Sequence, residues 1–185
     1  VDEWGIWTNV EPGTNPGFLY QQNSLRDAMV AATTLNIFNN HADRIRMANL
    51  AQTINVLQAL ILTEGDKMLL TPTYYVFDLF KVHQDAKLLP VKFSSPELVN
   101  GKNKIPALNV SASKDSNQVV HMTLVNLDPK NVMHINTALN EVDWTKVEGM
   151  VLTSAKLTDV NTFNQPNSVK PVVFNGAKKV GNELV

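Results

Sequence analysis

The opening segment Asp2-Glu3-Trp4-Gly5-Ile6-Trp7 sets a carboxylate beside two indoles. That set of groups can do glycoside chemistry: a glutamate can attack an anomeric carbon while an indole face packs on the apolar face of a sugar ring. The same residues also read as a surface acid next to two core tryptophans, and the short motif alone does not separate the two. Other acids read as structural, with Glu11 in a loop, Asp27 as a helix-capping residue and Asp43 just ahead of a strand. His41 and Asp43 with Arg44 and Arg46 have the makings of an ion-pair network. His121 and His134 fall in alternating strands, where a solvent-facing or hydrogen-bonded histidine is the ordinary outcome. Trp144 reads as a turn-anchoring core residue, and Lys170, Lys178 and Lys179 as a solvated face.

Composition narrows the chemistry. The chain has 185 residues, 44% hydrophobic and 18% charged, enough to bury one sizeable core or two small ones. A net charge of -1 gives no basic face for nucleic acid or anionic lipid, so a neutral or polar ligand fits better. With no cysteine and four scattered histidines, no metal centre and no cofactor are expected. No run reaches the roughly 18 apolar residues of a membrane helix. Val1 enters directly into an apolar and acidic segment, which reads as the interior of a longer chain.

These groups need elements to position them. Ser24-Leu25-Arg26-Asp27 fits a helix start, with the Ser24 hydroxyl taking an orphan amide and Asp27 in the positive first turn. Leu25, Ala28, Met29, Ala32, Leu35 and Phe38 follow at helical spacing as far as Asn39-Asn40. Arg44 to Leu50 reads as a buried parallel strand, and Leu60-Ile61-Leu62 and Met68-Leu69-Leu70 as a hairpin about Glu64-Gly65-Asp66-Lys67. Thr71-Pro72 suits an N-cap with proline at the first helical position, in a helix running to about His83. This strand and helix rhythm belongs to an α/β unit. Beyond a boundary near Ala86 to Leu89, the pattern alternates with period two. Strands are expected over Leu88–Phe93, Ala107–Lys114, Gln118–Leu127, Val132–Leu139, Val147–Thr153 and Pro171–Phe174, with a tight turn at Asp115-Ser116-Asn117. Short strands at this spacing predict a sandwich or barrel.

The run Asp2-Glu3-Trp4-Gly5-Ile6-Trp7, then Leu25-Arg26-Asp27-Ala28, His41-Ala42-Asp43-Arg44 and Met47-Ala48-Asn49-Leu50-Ala51-Gln52, resembles the closing part of family 51 arabinofuranosidases. The likeness continues through Thr71-Pro72-Thr73-Tyr74-Tyr75-Val76-Phe77 and Asn161-Thr162-Phe163-Asn164-Gln165-Pro166-Asn167 to Val169-Lys170-Pro171. The resemblance implies an α/β remnant in residues 1–87, the last strands and helices of a (β/α)8 barrel with its active site at the C-terminal strand ends. An all-β jelly-roll-like sandwich follows in residues 88–185. It also implies Glu3 as nucleophile, Trp7 lining the arabinose pocket and Gln52 hydrogen-bonding the substrate. The substrates it implies are terminal α-L-arabinofuranosyl groups of arabinan, arabinoxylan and their oligosaccharides, hydrolysed with retention through a covalent intermediate. As nucleophile, Glu3 must be ionised at working pH, held so by hydrogen bonds and partners.

Two departures from the family pattern limit what the chain does by itself. The acid/base glutamate of the family lies upstream, and nothing here matches it, so catalysis requires the remainder of the parent barrel as partner. The chain also stops at Glu183-Leu184-Val185 as a strand begins, which predicts a sandwich lacking its last strand and an edge open to pairing. Apolar faces on the two helices add the expectation of self-association, in line with the homo-oligomers common in the family. The competing reading makes the β half an autonomous carbohydrate-binding or assembly module.

Overall fold

The computed structural model describes residues 1–140, 144–181 and 183–185. Helix α1 covers Leu25–Asn40 and begins as its sequence dictates, with a capping box in which the Ser24 backbone N–H and hydroxyl both donate to the Asp27 carboxylate, at 2.8 and 2.7 Å. Asp27 is wholly buried and also takes the Arg26 guanidinium at 3.2 Å. Strands β1 (Ile61–Glu64) and β2 (Lys67–Leu70) form the expected antiparallel hairpin, Glu64 pairing with Lys67. Helix α2 (Pro72–Phe80) starts at Thr71, whose hydroxyl accepts from the Tyr74 N–H and donates to the Ala59 carbonyl. A 3-10 turn over Lys81–His83 extends it to the expected end.

After α2 the chain is built from short antiparallel strands. Strand β3 (Lys87–Leu89) pairs with β6 (Leu108–Lys114), which pairs in turn with β7 (Val120–Asn126). The β6–β7 turn falls at Asp115-Ser116-Asn117, where Asp115 Oδ1 accepts the Asn117 and Val119 amides at 2.9 Å each. Strands β4 (Glu97–Asn100) and β5 (Asn103–Pro106) make a hairpin that the alternation did not predict. Its signal was the Asn100-Gly101 pair: Gly101 takes φ +60° as first residue of the two-residue loop, a conformation cheap for glycine alone. The remaining expected strands are far shorter than their alternating runs. Among the described residues, pairing there is confined to Thr137–Ala138 (β8), Met150–Val151 (β9) and Val172–Val173 (β10), followed by Lys179–Val180 (β11) and Glu183–Leu184 (β12). Strand β12 lies between β11 and β8, so Glu183 and Leu184 are sheet members with neighbours on both sides.

The strand expected over Arg44 to Leu50 does not form. One parallel bridge, Leu50 with Trp4, an Asn49 N–H bond to the Val1 carbonyl at 3.2 Å and a Val1 ammonium bond to the Met47 carbonyl at 3.0 Å are the pairing observed there among the described residues. A parallel strand needs neighbours along its edges to hold an extended run, and among the described residues this segment has one short neighbour. His41, Asp43, Arg44 and Arg46 form no ion pair among the described residues, so the expected network there is absent.

The helices do not leave wide apolar faces. α1 packs along α2 and across β6 and β7, and one core joins Leu25, Ala28, Ala31 and Ala32 of α1 to Val76, Val125 and Val169. Burial of these side chains stabilises by about 1.5–3 kcal/mol for each of the larger ones. The contact between α1 and the sheet is partly polar. Asn36, wholly buried, donates to Asn109 Oδ1 at 2.8 Å and accepts from the Ser111 and Thr123 hydroxyls at 2.7 and 2.5 Å. A fully partnered network of this kind fixes the helix register on the sheet, since sliding by one residue would orphan every member.

His83 extends that network, its Nδ1 2.7 Å from Ser113 Oγ and its Nε2 3.1 Å from Thr123 Oγ1. Burial pushes its pKa down from 6.5 to about 4, with His121 adding a smaller push in the same direction. The unfolded chain therefore takes up a proton near pH 6.5 that the folded chain refuses until about pH 4. Stability is full above 6.5 and falls as pH drops toward 4. Thermal melts across that window should show a steeper loss for the native protein than for His83→Gln, which has no proton to gain; parallel slopes would contradict the assignment.

Candidate functional site

Trp4 and Trp7 have opposite fates. Trp4 packs half-buried against the core, stacked on Phe77 with centroids 6.1 Å apart and edge-on to Phe38 at 5.4 Å. Trp7 is 66% exposed. Thus the two indoles of the motif part, since one is half-buried against the core and the other is presented to solvent. Glu3 precedes the core tryptophan and is exposed.

The parallel bridge from Trp4 to Leu50 sets the register between the two segments. It puts Glu3 one residue before the bridge on one segment and Gln52, also exposed, two residues beyond it on the other. Both chains run the same way at this point, so Trp7 and Gln52 lie three and two residues beyond the bridge, while Glu3 lies on its other side. Among the described residues no side chain hydrogen-bonds Glu3 or Gln52. Two concavities elsewhere, one between α1 and Leu127 and one beside the β4–β5 hairpin, include none of the three.

What holds the Trp7 segment was not foreseen from the sequence. Gln21, 1% exposed, accepts the Thr8 N–H at 2.9 Å and donates to the Ile6 carbonyl at 3.3 Å. Gln58, 2% exposed, donates to the same Ile6 carbonyl at 2.9 Å and reaches Asp27 Oδ1 at 3.5 Å. Gly5 lets Gln58 come this close, for a Cβ there would stand 2.9 Å from Gln58 Cγ. Nothing local marks either glutamine: Gln21 sits in a polar stretch that reads as loop, and Gln58 interrupts an apolar run. The partners lie 13 to 52 residues away, beyond any periodicity argument.

Other candidates resolve as structural. His121 faces Asp115 at 3.1 Å, a contact that heads the causes holding that carboxyl below the usual carboxylate range. Trp144 carries the Lys179 ammonium 4.8 Å from its ring centroid, so its face is engaged by a cation. No group of three or more histidines and acids converges as a metal site among the described residues, and no described helix is long and apolar enough to cross a membrane.

Comparison with known proteins gives this geometry a family. The profile of the alpha-L-arabinofuranosidase C-terminal domain matches residues 2–185, and the chain belongs to that family. It is 46% identical over 179 residues to an intracellular exo-alpha-L-arabinofuranosidase of Bacteroides ovatus, covering 96% of this chain and 35% of that protein. Among solved structures, the GH51 arabinofuranosidase of Xanthomonas axonopodis pv. citri superposes with a TM-score of 0.96 at 48% identity, over 100% of this chain and 37% of that one. The arabinose complex of the Thermotoga maritima alpha-L-arabinofuranosidase shares the fold, with a TM-score of 0.79 at 23% identity, over 98% of this chain and 39% of that one. The chain thus spans little more than a third of the length of the relatives it matches. Its small antiparallel sheets with few helices match the C-terminal β-sandwich region of these enzymes.

Proposed function

We propose that this chain supplies the nucleophile and one wall of the sugar pocket of a retaining exo-acting α-L-arabinofuranosidase. The observation that carries the reading is the split between the tryptophans: Trp4 anchors the segment in the core, while Trp7 stands 66% exposed on a segment held from behind. An indole left open at such a cost in apolar exposure is explained by a ligand or a covering segment. Residues 1–87 then act as the closing part of a (β/α)8 barrel, and residues 88–185 as the sandwich against which it packs. The parallel Trp4–Leu50 bridge, whose two segments are joined through α1 and followed by α2, supports that division.

In this reading the Glu3 carboxylate attacks the anomeric carbon of a terminal α-L-arabinofuranosyl group. A carboxylic acid from the rest of the barrel protonates the departing oxygen. Water, deprotonated by the same group, then releases arabinose with its configuration retained, and the two carboxyls stand about 5 Å apart. Gln52 offers neutral donors to sugar oxygens, and Trp7 packs on the ring.

The test is hydrolysis of an aryl α-L-arabinofuranoside by the full-length protein, with the first-formed anomer read by proton NMR. The expected product is the α-anomer. A β-anomer formed first, or no turnover of arabinofuranosides, would overturn the reading.

A further inference from the structure

We infer that Gln21 and Gln58 form a buried clamp that positions Trp7 for substrate, acting as positioning residues rather than as groups that touch the sugar. The inference rests on the pocket reading above. In an extended chain, the carbonyl before a residue and the N–H after it point to the same side. The Gln21 amide meets both of these groups around Trp7, accepting from Thr8 N–H and donating to Ile6 C=O, as a neighbouring strand would. A side-chain amide has one donor end and one acceptor end, so a single orientation satisfies both bonds. Gln58 adds a second donor to the Ile6 carbonyl.

The clamp is tied to the helix framework. Gln58 also reaches the Asp27 carboxylate that caps α1, so the backbone beside Trp7 is referenced to the start of that helix through one side chain. Glu3 is referenced separately, through Trp4, which stacks on Phe77 and bridges Leu50. Loosening the clamp therefore frees the indole while leaving the carboxylate where it is. The kinetic consequence is specific: binding of the arabinofuranosyl ring weakens more than turnover slows.

Steady-state kinetics on the full-length enzyme test this with Gln21→Met, Gln58→Met, Trp7→Ala and the Gln21→Met/Trp7→Ala double variant. Asn161→Ala serves as a comparator, since buried Asn161 ties the Leu70 and Val169 backbone and makes no bond to the Ile6–Thr8 segment. Gln21→Met should raise KM roughly tenfold with kcat changed less than about threefold, and Gln58→Met should raise KM by less. Adding Gln21→Met to Trp7→Ala should raise KM no further, because the clamp would then hold nothing the sugar touches. Asn161→Ala should lower the melting temperature and leave KM alone.

The clamp is overturned if Trp7→Ala raises KM while Gln21→Met does not, or if Gln21→Met has the same effect with and without Trp7. If Gln21→Met fails to fold, Gln58→Met, which leaves both Gln21 bonds intact, decides alone, and an unchanged KM overturns the clamp. If Trp7→Ala itself leaves KM unchanged, the pocket reading falls and the clamp with it.

Discussion

Glu3→Gln in the full-length enzyme should lower kcat on arabinofuranosides by at least about 10³-fold, which at 1.36 kcal/mol per decade is about 4 kcal/mol of transition-state stabilisation. The amide keeps the size and nearly the shape of the carboxylate but cannot form the ester-linked intermediate, so the loss falls on the chemical step. KM should move little, because sugar contacts made by Trp7 and Gln52 remain. Stability should also stay within about 0.5 kcal/mol, since Glu3 is exposed and no described side chain bonds to it. These three readouts separate the nucleophile from a structural acid, which would change stability and leave turnover. A variant within about tenfold of the parent kcat would remove Glu3 from the mechanism.

How much of this was legible in the sequence depends on the range of the interactions involved. Helix α1 was readable because its determinants are local: Ser24, Asp27 and the apolar spacing after them lie within one helix length. The β6–β7 turn was readable for the same reason, with Asp115 binding amides two and four residues on. The segment Arg44 to Leu50 failed because its strand state depends on neighbours along both edges, which no local pattern supplies. The β4–β5 hairpin was missed because Asn100-Gly101 carried the signal while the flanking residues, mostly exposed, gave no alternation. Glu3, Trp7 and Gln52 were reached through motif resemblance, yet the motif could not say which indole would pack against the core. Phe38 and Phe77, more than thirty residues on, decide that for Trp4. Gln21 and Gln58 were invisible for the corresponding reason, since a buried amide acquires its role only when distant backbone groups arrive beside it.

Gly5→Ala is expected to cost about 2–6 kcal/mol and to disturb the site from within. Two terms add. Gly5 has φ +142°, a conformation that side chains other than glycine's rarely adopt and that strains them by about 1–3 kcal/mol. The new Cβ would also stand 2.9 Å from Gln58 Cγ and 3.1 Å from Leu50 Cδ1, overpacking worth about 1–3 kcal/mol. Both neighbours matter to the site, Gln58 as donor to the Ile6 carbonyl and Leu50 as the bridge partner of Trp4. Relief of the clash must therefore move the clamp, the bridge or both, so activity should fall beyond what lost stability explains. Gly101→Ala supplies a milder reference without a clash, because Gly101 has φ +60°, in the left-handed region, and no atom within 4 Å of its Cβ position. Denaturant titration should give it about 1 kcal/mol, with kinetics unchanged. Equal costs at the two glycines would mean that the chain tolerates a side chain against Gln58, and the close packing of that glutamine on Gly5 would lose its energetic meaning.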